Sequence, residues 1–304
     1  MASWDEFVEE FTGLEEDQRS EWLVGKLFAS LQAVASLRNR NVLLYGSAWL
    51  QKPAAPGPFV AVAGEDINGI MTALHGMDCS RGLTLILHTP GGEIGAAQTI
   101  GEYLHSKFEN IECIVPTYAM SAGTMLALGC NNIVMGRQSQ LGPIDAQLSQ
   151  GGQQISAGAV RAQFEQAATE IIADPRRAHI WAPLLQSLGP SLLQEAQYGL
   201  DYGQSFVMEW LEHRMFRGQP TAKAQAETVA AYFNATSNHK FHGRRINRDE
   251  ARLQGLSIED LEVNQALQEA VLSAYHIMTI MFETSPSVKM IVTDAGRNWI
   301  KNFA

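Results

Sequence analysis

Between Phe59 and about Gln147 the chain alternates short apolar runs of strand length with amphipathic segments of helical period, a pattern that few architectures accept. Residues 59–63 read as a strand. Residues 66–75 read as a helix, with Ile67, Ile70, Met71 and Leu74 at i, i+3, i+4 and i+7. The spacing then predicts a buried strand over 83–88, a helix over 94–107, a strand over 111–116, a helix opened by Ser121 and a strand over 132–135. Strands separated by helices are joined by right-handed crossovers, which makes the sheet mostly parallel and the class α/β.

The flanks have a different texture. Trp4, Phe7, Val8 and Phe11, then Trp22, Leu23, Leu27, Leu31 and Val34, recur at helical spacing. Three prolines and a glycine in residues 52–58 break the chain. Residues 1–52 therefore read as an N-terminal helical appendage and 53–150 as the α/β catalytic core. Residues 151–304 read as a mainly helical region that returns to the core. Within it, the polar, Gly-rich stretch 150–158 is expected to be a mobile loop. Residues 160–235 are expected to be helical, with breaks at 174–175, 189–190 and 218–220. A polar, basic connector over 234–245 leads into a short helix capped by Asn247 and Glu250 and stopped at Gly255. Residues 266–282 form a last apolar helix.

Composition excludes several classes. With 46% hydrophobic and 18% charged residues, the chain has apolar surface enough to fold and too little charge to stay open. Its formal net charge of −10 argues against nucleic acid or an anionic membrane as partner. Cys79, Cys113 and Cys130 lack metal-ligand or redox spacing, which suits a reducing compartment. Residues 113–136 carry no charge, but Pro116, Gly123, Gly129, Asn131 and Asn132 divide them into pieces too short to span a bilayer. The acidic residues 4–16 do not read as a signal peptide. The expectation is a cytoplasmic protein without metal or cofactor.

Two Gly-rich turns carry the chemistry. His88-Thr89-Pro90-Gly91-Gly92 follows a strand, and its glycines allow a sharp turn with unhindered N–H groups. It lacks the G-x-x-x-x-G-K-[ST] pattern of a phosphate loop. Ala119-Met120-Ser121-Ala122-Gly123-Thr124 places Ser121 between a strand and a short apolar helix, where it is either an N-cap or a nucleophile. A hydrolase needs a nucleophile and, about 3 Å from the reacting atom, donors for the oxyanion. The amides of Gly91, Gly92 and Ala122 are candidates.

The segments Leu-Ile-Leu-His-Thr-Pro-Gly-Gly (85–92), Ser-Ala-Gly-Thr (121–124), Ile-Val-Met (133–135) and Leu-Gly-Pro-Ile-Asp-Ala-Gln (141–147) resemble the serine dehydrogenase proteinase family. That family is similar to the signal peptide peptidase A and Clp protease groups within the crotonase-like fold. The resemblance covers roughly residues 60–147, with Ala146 where the family has proline. It implies a ClpP/crotonase-like spiral of ββα units, here with N-terminal helices and a helical C-terminal extension. It also implies that Ser121 is the nucleophile, that the 88–92 turn supplies the oxyanion hole, and that the enzyme is a homo-oligomer acting on peptides.

The base is less directly implied. Clp-type relatives use a histidine about 25 residues after the serine, where this chain reads Ile144-Asp145-Ala146. Signal peptide peptidase A relatives use a lysine, and none occurs between Lys107 and Lys223. The connector holds His239, Lys240 and His242, and its sequence resembles the family's late histidine block. His242 is the first choice, then His239, then Lys240, against the alternative that the loop is only solvated. Asp145 is either the group that orients the imidazole or a turn aspartate. His88 is expected to fix its turn by a hydrogen bond. The leading function is a serine peptidase. The alternatives are an acyl-CoA thioester enzyme of the crotonase-like fold and a catalytically silent scaffold.

Overall fold

The computed structural model describes residues 4–150, 152–189 and 191–303. Two helices, α1 (Trp4–Thr12) and α2 (Glu16–Arg38), lead into strand β1 (Asn41–Ser47). There follow α3 (Gly57–Val60), α4 (Asp66–Leu74), β2 (Leu83–His88), α5 (Ile94–Lys107), β3 (Ile111–Val115), β4 (Tyr118–Ala119), α6 (Ala122–Leu128), β5 (Asn132–Met135) and β6 (Gln140–Leu141). The hairpin β7 (Gln147–Gln150) and β8 (Gln153–Ser156) precedes α7 (Ala157–Ala173), α8 (Ala178–Leu188), α9 (Leu192–His213), α10 (Ala222–Asn234) and α11 (Thr236–His239). The chain closes with β9 (Ile246–Asn247), α12 (Arg248–Leu253), β10 (Ile258–Asp260), α13 (Gln265–Thr284), β11 (Ser287–Thr293) and β12 (Asn298–Asn302).

The main sheet has the order β10-β5-β3-β2-β1-β11-β12. Its first five strands are parallel, β11 runs antiparallel to β1, and β12 runs antiparallel to β11. The register aligns Leu43 with Leu85, Leu85 with Cys113 and Cys113 with Ile133. Because side chains alternate across a strand, these residues face one apolar layer, with Ile100 and Leu104 of α5 and Trp210 of α9. Val42, Leu44, Ile86, Ile114 and Val134 face the other, against α2 and α13. β1, β2 and β3 are buried along their whole length, as expected of a sheet covered on both faces.

A second layer crosses the C-terminal ends of these strands. β4 pairs with β6 and β6 with β9, while single bridges join Val62 to Gly92 and Thr89 to Ala119. Three times in succession a main-sheet strand is followed by a short extended segment in this layer and then a helix, through α4, α5 and α6. This mixed α/β arrangement is the expected ββα repetition.

Several elements differ from the sequence expectation. Strand β1 lies within the first 52 residues and is central to the sheet, so that stretch contributes more than helices. The strand expected at 59–63 is instead the turn of helix α3, with Pro at its N-terminus and Ala61 N–H bonded to Gly57 O at 2.8 Å; only Val62 is extended and paired. Pro58 favours a helix start because its missing N–H costs nothing there. Residues 150 and 153–156 are strand rather than irregular chain: Gln150 pairs with Gln153 and Leu148 with Ile155, and Leu148 and Ile155 pack against the apolar cluster of α7 and α9. Gly151, in the middle of that stretch, and Pro190, in the expected break at 189–190, lie outside the described residues. The apolar sides of α1 and α2 are buried within the chain. Among the described residues, no helix is long and apolar enough to cross a membrane.

Candidate active site

The two Gly-rich turns meet because the chain pairs them. Thr89 N–H bonds Tyr118 O at 3.0 Å and Met120 N–H bonds Thr89 O at 3.1 Å, which brings the end of β2 beside β4. The next residue, Ser121, has φ 52° and ψ −117°, a region that L-residues rarely occupy and that costs of order 1–3 kcal/mol. It is held there by helix α6 on one side and by β4 on the other. Thr124 Oγ1 donates to Ala119 O at 2.6 Å and accepts from Gly142 N–H at 2.8 Å. Ser121 itself makes no side-chain cap to α6, so the hydroxyl is not spent on the helix.

The glycines allow the contact. Gly91 has φ 97°, and a β-carbon there would lie 2.5 Å from Ser121 Cβ and 2.6 Å from Met120 O. A β-carbon on Gly92 would lie 2.2 Å from Val62 O. Val62 N–H bonds Gly91 O at 2.7 Å and Glu93 N–H bonds Val62 O at 2.9 Å, clamping the turn from both sides. Of the three amides named from sequence, that of Gly91 donates to Thr89 Oγ1 at 3.2 Å. Those of Gly92 and Ala122 have no protein acceptor among the described residues.

Behind this clamp is a buried polar network that the sequence did not reveal. Lys289 Nζ of β11 donates to Ala61 O at 2.7 Å and to both oxygens of Asp66 at 2.7 and 2.9 Å, all without solvent exposure of either charged side chain. Tyr45 Oη and Ala63 N–H also donate to Asp66. Burial lowers the Lys289 ammonium and raises the Tyr45 phenol. The network holds residues 61–63, and through Val62 the glycine turn.

His242 Nδ1–H donates to Asp145 Oδ1 at 2.8 Å. The other oxygen of Asp145 accepts from Ser156 Oγ at 2.9 Å and Gln147 Nε2 at 3.0 Å. Burial alone would push the Asp145 carboxyl up, but the bonds from His242 and Ser156 outweigh it and hold it below the usual range. Ile144 N–H bonds Phe233 O and Ala157 N–H bonds Ala146 O, each at 2.9 Å, so the helical region fixes the aspartate on both sides. His242 and Ser121 line one cavity of about 220 Å³ with Trp49, Pro90, Tyr118, Met120, Gly243 and Arg245.

The other candidates are placed elsewhere. His239 is buried, with Nε2–H bonded to Tyr232 O at 2.7 Å and Nδ1 accepting from Arg244 at 3.2 Å. Both ring nitrogens are therefore occupied. Lys240 is exposed at φ 70°, where it turns the chain. His88 is buried under Trp49, Tyr118 and Tyr275, and its Nδ1 bonds Thr117 Oγ1 at 2.8 Å. Burial lowers its imidazole to about 3, which keeps it neutral. Among the described residues no cluster of His, Cys, Asp and Glu has metal-site geometry. Trp49, Tyr118 and Arg245 line the cavity without having been singled out from sequence; the one sequence signal was the basic character of the 234–245 connector.

Over 86 residues, 28% of this chain, the protein is 41% identical to Uncharacterized protein MJ0137 and 35% identical to Uncharacterized protein MJ1495, both of Methanocaldococcus jannaschii. The match spans 30% of the length of each relative. Among solved structures it is similar to a serine-to-alanine mutant of the 1510-N membrane-bound stomatin-specific protease, with 17% identity over 58% of this chain and 62% of that one and a TM-score of 0.32. A lysine-to-alanine mutant of the same protease, in complex with a substrate peptide, gives 18% identity over 58% and 59% of the two chains and the same TM-score of 0.32. Residues 58–177, which hold both glycine-rich turns, Ser121 and Asp145, match the family model of the ClpP-like SDH-type serine proteinases.

Proposed function

We propose that the protein is a serine peptidase in which Ser121 is the nucleophile, His242 the general base and Asp145 the group that orients it. The observation that carries this reading is the His242–Asp145 hydrogen bond of 2.8 Å behind a cavity that His242 shares with Ser121. With Nδ1–H held by the carboxylate, Nε2 is the basic nitrogen and is available to take the Ser121 proton. The hydroxyl oxygen attacks the peptide carbonyl, and the oxyanion accepts hydrogen bonds from Gly92 and Ala122, the amides left free by the fold. The Gly91 amide belongs to the hole only if its bond to Thr89 yields. His242 then gives its proton to the leaving amine, and water repeats the sequence on the acyl-enzyme. Acyl transfer by this route uses no metal or cofactor.

Self-association belongs to the same reading. Ile172 of α7, Ile180 and Leu184 of α8, and Tyr198 and Tyr202 of α9 remain exposed, and a second copy of the chain would cover them.

The test is labelling by a fluorophosphonate with the modified peptide identified by mass spectrometry, alongside hydrolysis of an unfolded protein. Labelling at Ser121, lost together with hydrolysis in Ser121→Ala, is the expected result. Hydrolysis that persists in that variant overturns the assignment. Turnover of acyl-CoA without turnover of peptide would favour the thioester reading instead.

A further inference from the structure

Arg245 leaves the same loop as His242 and lines the same cavity. The remaining walls, from Trp49, Pro90, Tyr118 and Met120, are apolar or aromatic, and among the described residues no carboxylate lines it. Arg245 is the one permanently charged side chain there.

The neighbouring arginines are spoken for. Arg244 pairs with Glu250 at 2.7 Å, and Arg248 with Glu262 and, at 3.7 Å, Asp260. Arg245 makes no ion pair among the described residues. Its guanidinium instead lies 4.7 Å from the centroid of the Tyr118 ring. Both partners are anchored by backbone pairing, Tyr118 opposite Gln140 and Ile246, the residue after Arg245, opposite Leu141. Stacking holds a guanidinium against the ring face and leaves its N–H edge free. That edge receives a carboxylate through two parallel hydrogen bonds. In a chain of net charge −10, an exposed cation without an ion-pair partner, held on Tyr118 and lining the cavity of Ser121, is an electrostatic preference for an anion at that place.

We propose that Arg245 forms a carboxylate-recognising subsite beside Ser121, so that preferred substrates carry a carboxylate next to the bond that is cut, from an acidic side chain or from a free C-terminus. The subsite rests on the serine peptidase reading. It goes beyond that reading in naming what the cavity selects.

Two matched pairs of fluorogenic peptides with an apolar residue at the scissile bond test it. One pair differs by Glu against Gln beside that residue, on either side of the bond, with amidated C-termini. The other differs by a free against an amidated C-terminus one residue beyond the bond. In the wild type, kcat/KM should be about tenfold higher for the carboxylate member of at least one pair, as a charge-assisted hydrogen bond would give. The pair that responds identifies the source. The ratio should fall to within about twofold of unity in Arg245→Gln and be intermediate in Arg245→Lys; a purely structural role would slow both members of a pair alike. Equal rates within both pairs of the wild type, or a ratio that survives in Arg245→Gln, overturn the subsite. Binding of the same peptides to Ser121→Ala, followed by anisotropy, reads the selectivity without turnover and should lose it in the double variant with Arg245→Gln. Failure of the fluorophosphonate to label Ser121 would defeat the peptidase reading separately, while selective binding would still support the subsite.

Discussion

His242 Nδ1 lies 2.8 Å from Asp145 Oδ1, across 97 positions of sequence. The aspartate follows the α/β repetition and the histidine follows four long helices, so the pair exists only when those helices fold back on the sheet. Asp145→Asn keeps the size of the side chain but removes the charge that orients the ring. A fall in kcat on the order of 10²–10⁴ is expected, with little change in KM, measured by steady-state hydrolysis. His242→Ala should be as impaired. His239→Ala should lose stability in denaturant titration, because its ring bridges Tyr232 and Arg244, and Lys240→Met should lose neither activity nor stability. A dead Lys240→Met enzyme with an active His242→Ala one would reverse the assignment of the base.

Ser121 separates chemistry from strain. Ser121→Ala and Ser121→Gly both remove the hydroxyl, and both should abolish hydrolysis. Only glycine relieves the backbone at φ 52°. Ser121→Gly should therefore be more stable than Ser121→Ala by about 1 kcal/mol in chemical denaturation. Equal stabilities would mean that the turn carries no strain.

At Gly91 the expected effect is on rate. A β-carbon would press on Ser121 Cβ and Met120 O, moving Ser121, the proposed nucleophile, relative to the amides of Gly92 and Ala122. Gly91→Ala should lower kcat by roughly 10²-fold or more, comparable to losing one oxyanion donor. Gly92→Ala, which meets the Val62 backbone, should also lower the unfolding midpoint. Turnover within twofold of the wild type in both variants would place the donors elsewhere.

Acid should destabilise the protein through two buried histidines. Burial lowers His88 to about 3 and His105 to about 4, from 6.5 in the unfolded chain. Between those values the unfolded chain binds protons that the folded one does not. Stability is thus complete above about pH 6.5 and is lost as pH falls toward 4 and then 3, by at most about 1.4 kcal/mol per pH unit for each histidine. Denaturant titrations at pH 7, 6, 5 and 4 measure the slope, and His105→Gln should flatten it. A stability independent of pH over that range would contradict the burial of both rings.

Self-association should depend on α7–α9. The wild type should exceed monomer mass by light scattering at micromolar concentration, and Ile180→Asp together with Ile172→Asp should reduce it. A wild-type monomer would mean that those side chains are left to solvent.

Residues 83–88, 94–107 and 132–135 were legible because strand and helix periods are local properties, written in neighbouring side chains. The Gly91-Gly92 turn was legible for a similar reason: a sharp turn after a buried strand leaves few residue types able to make it. Tertiary structure decided what depends on distant partners. The run Val42–Tyr45 resembles any apolar segment until β2 and β11 flank it. Leu148 and Ile155 look like isolated apolar residues in a polar stretch until pairing sets them opposite each other against α7 and α9. Sequence could rank His242, His239 and Lys240 as candidate bases but not place them. Packing separates them, since Lys240 at φ 70° turns the chain, one ring closes onto Tyr232 and Arg244, and the other meets Asp145. Arg245 was visible only as one more positive charge, and its stacking on Tyr118 arises where β9 joins β6 beside β4. Local sequence set the elements and the turns, because steric limits on the backbone act over a few residues. The meeting of Asp145 with His242, and the cavity that His242 shares with Ser121, were left to tertiary packing, which brings residues so far apart in sequence together.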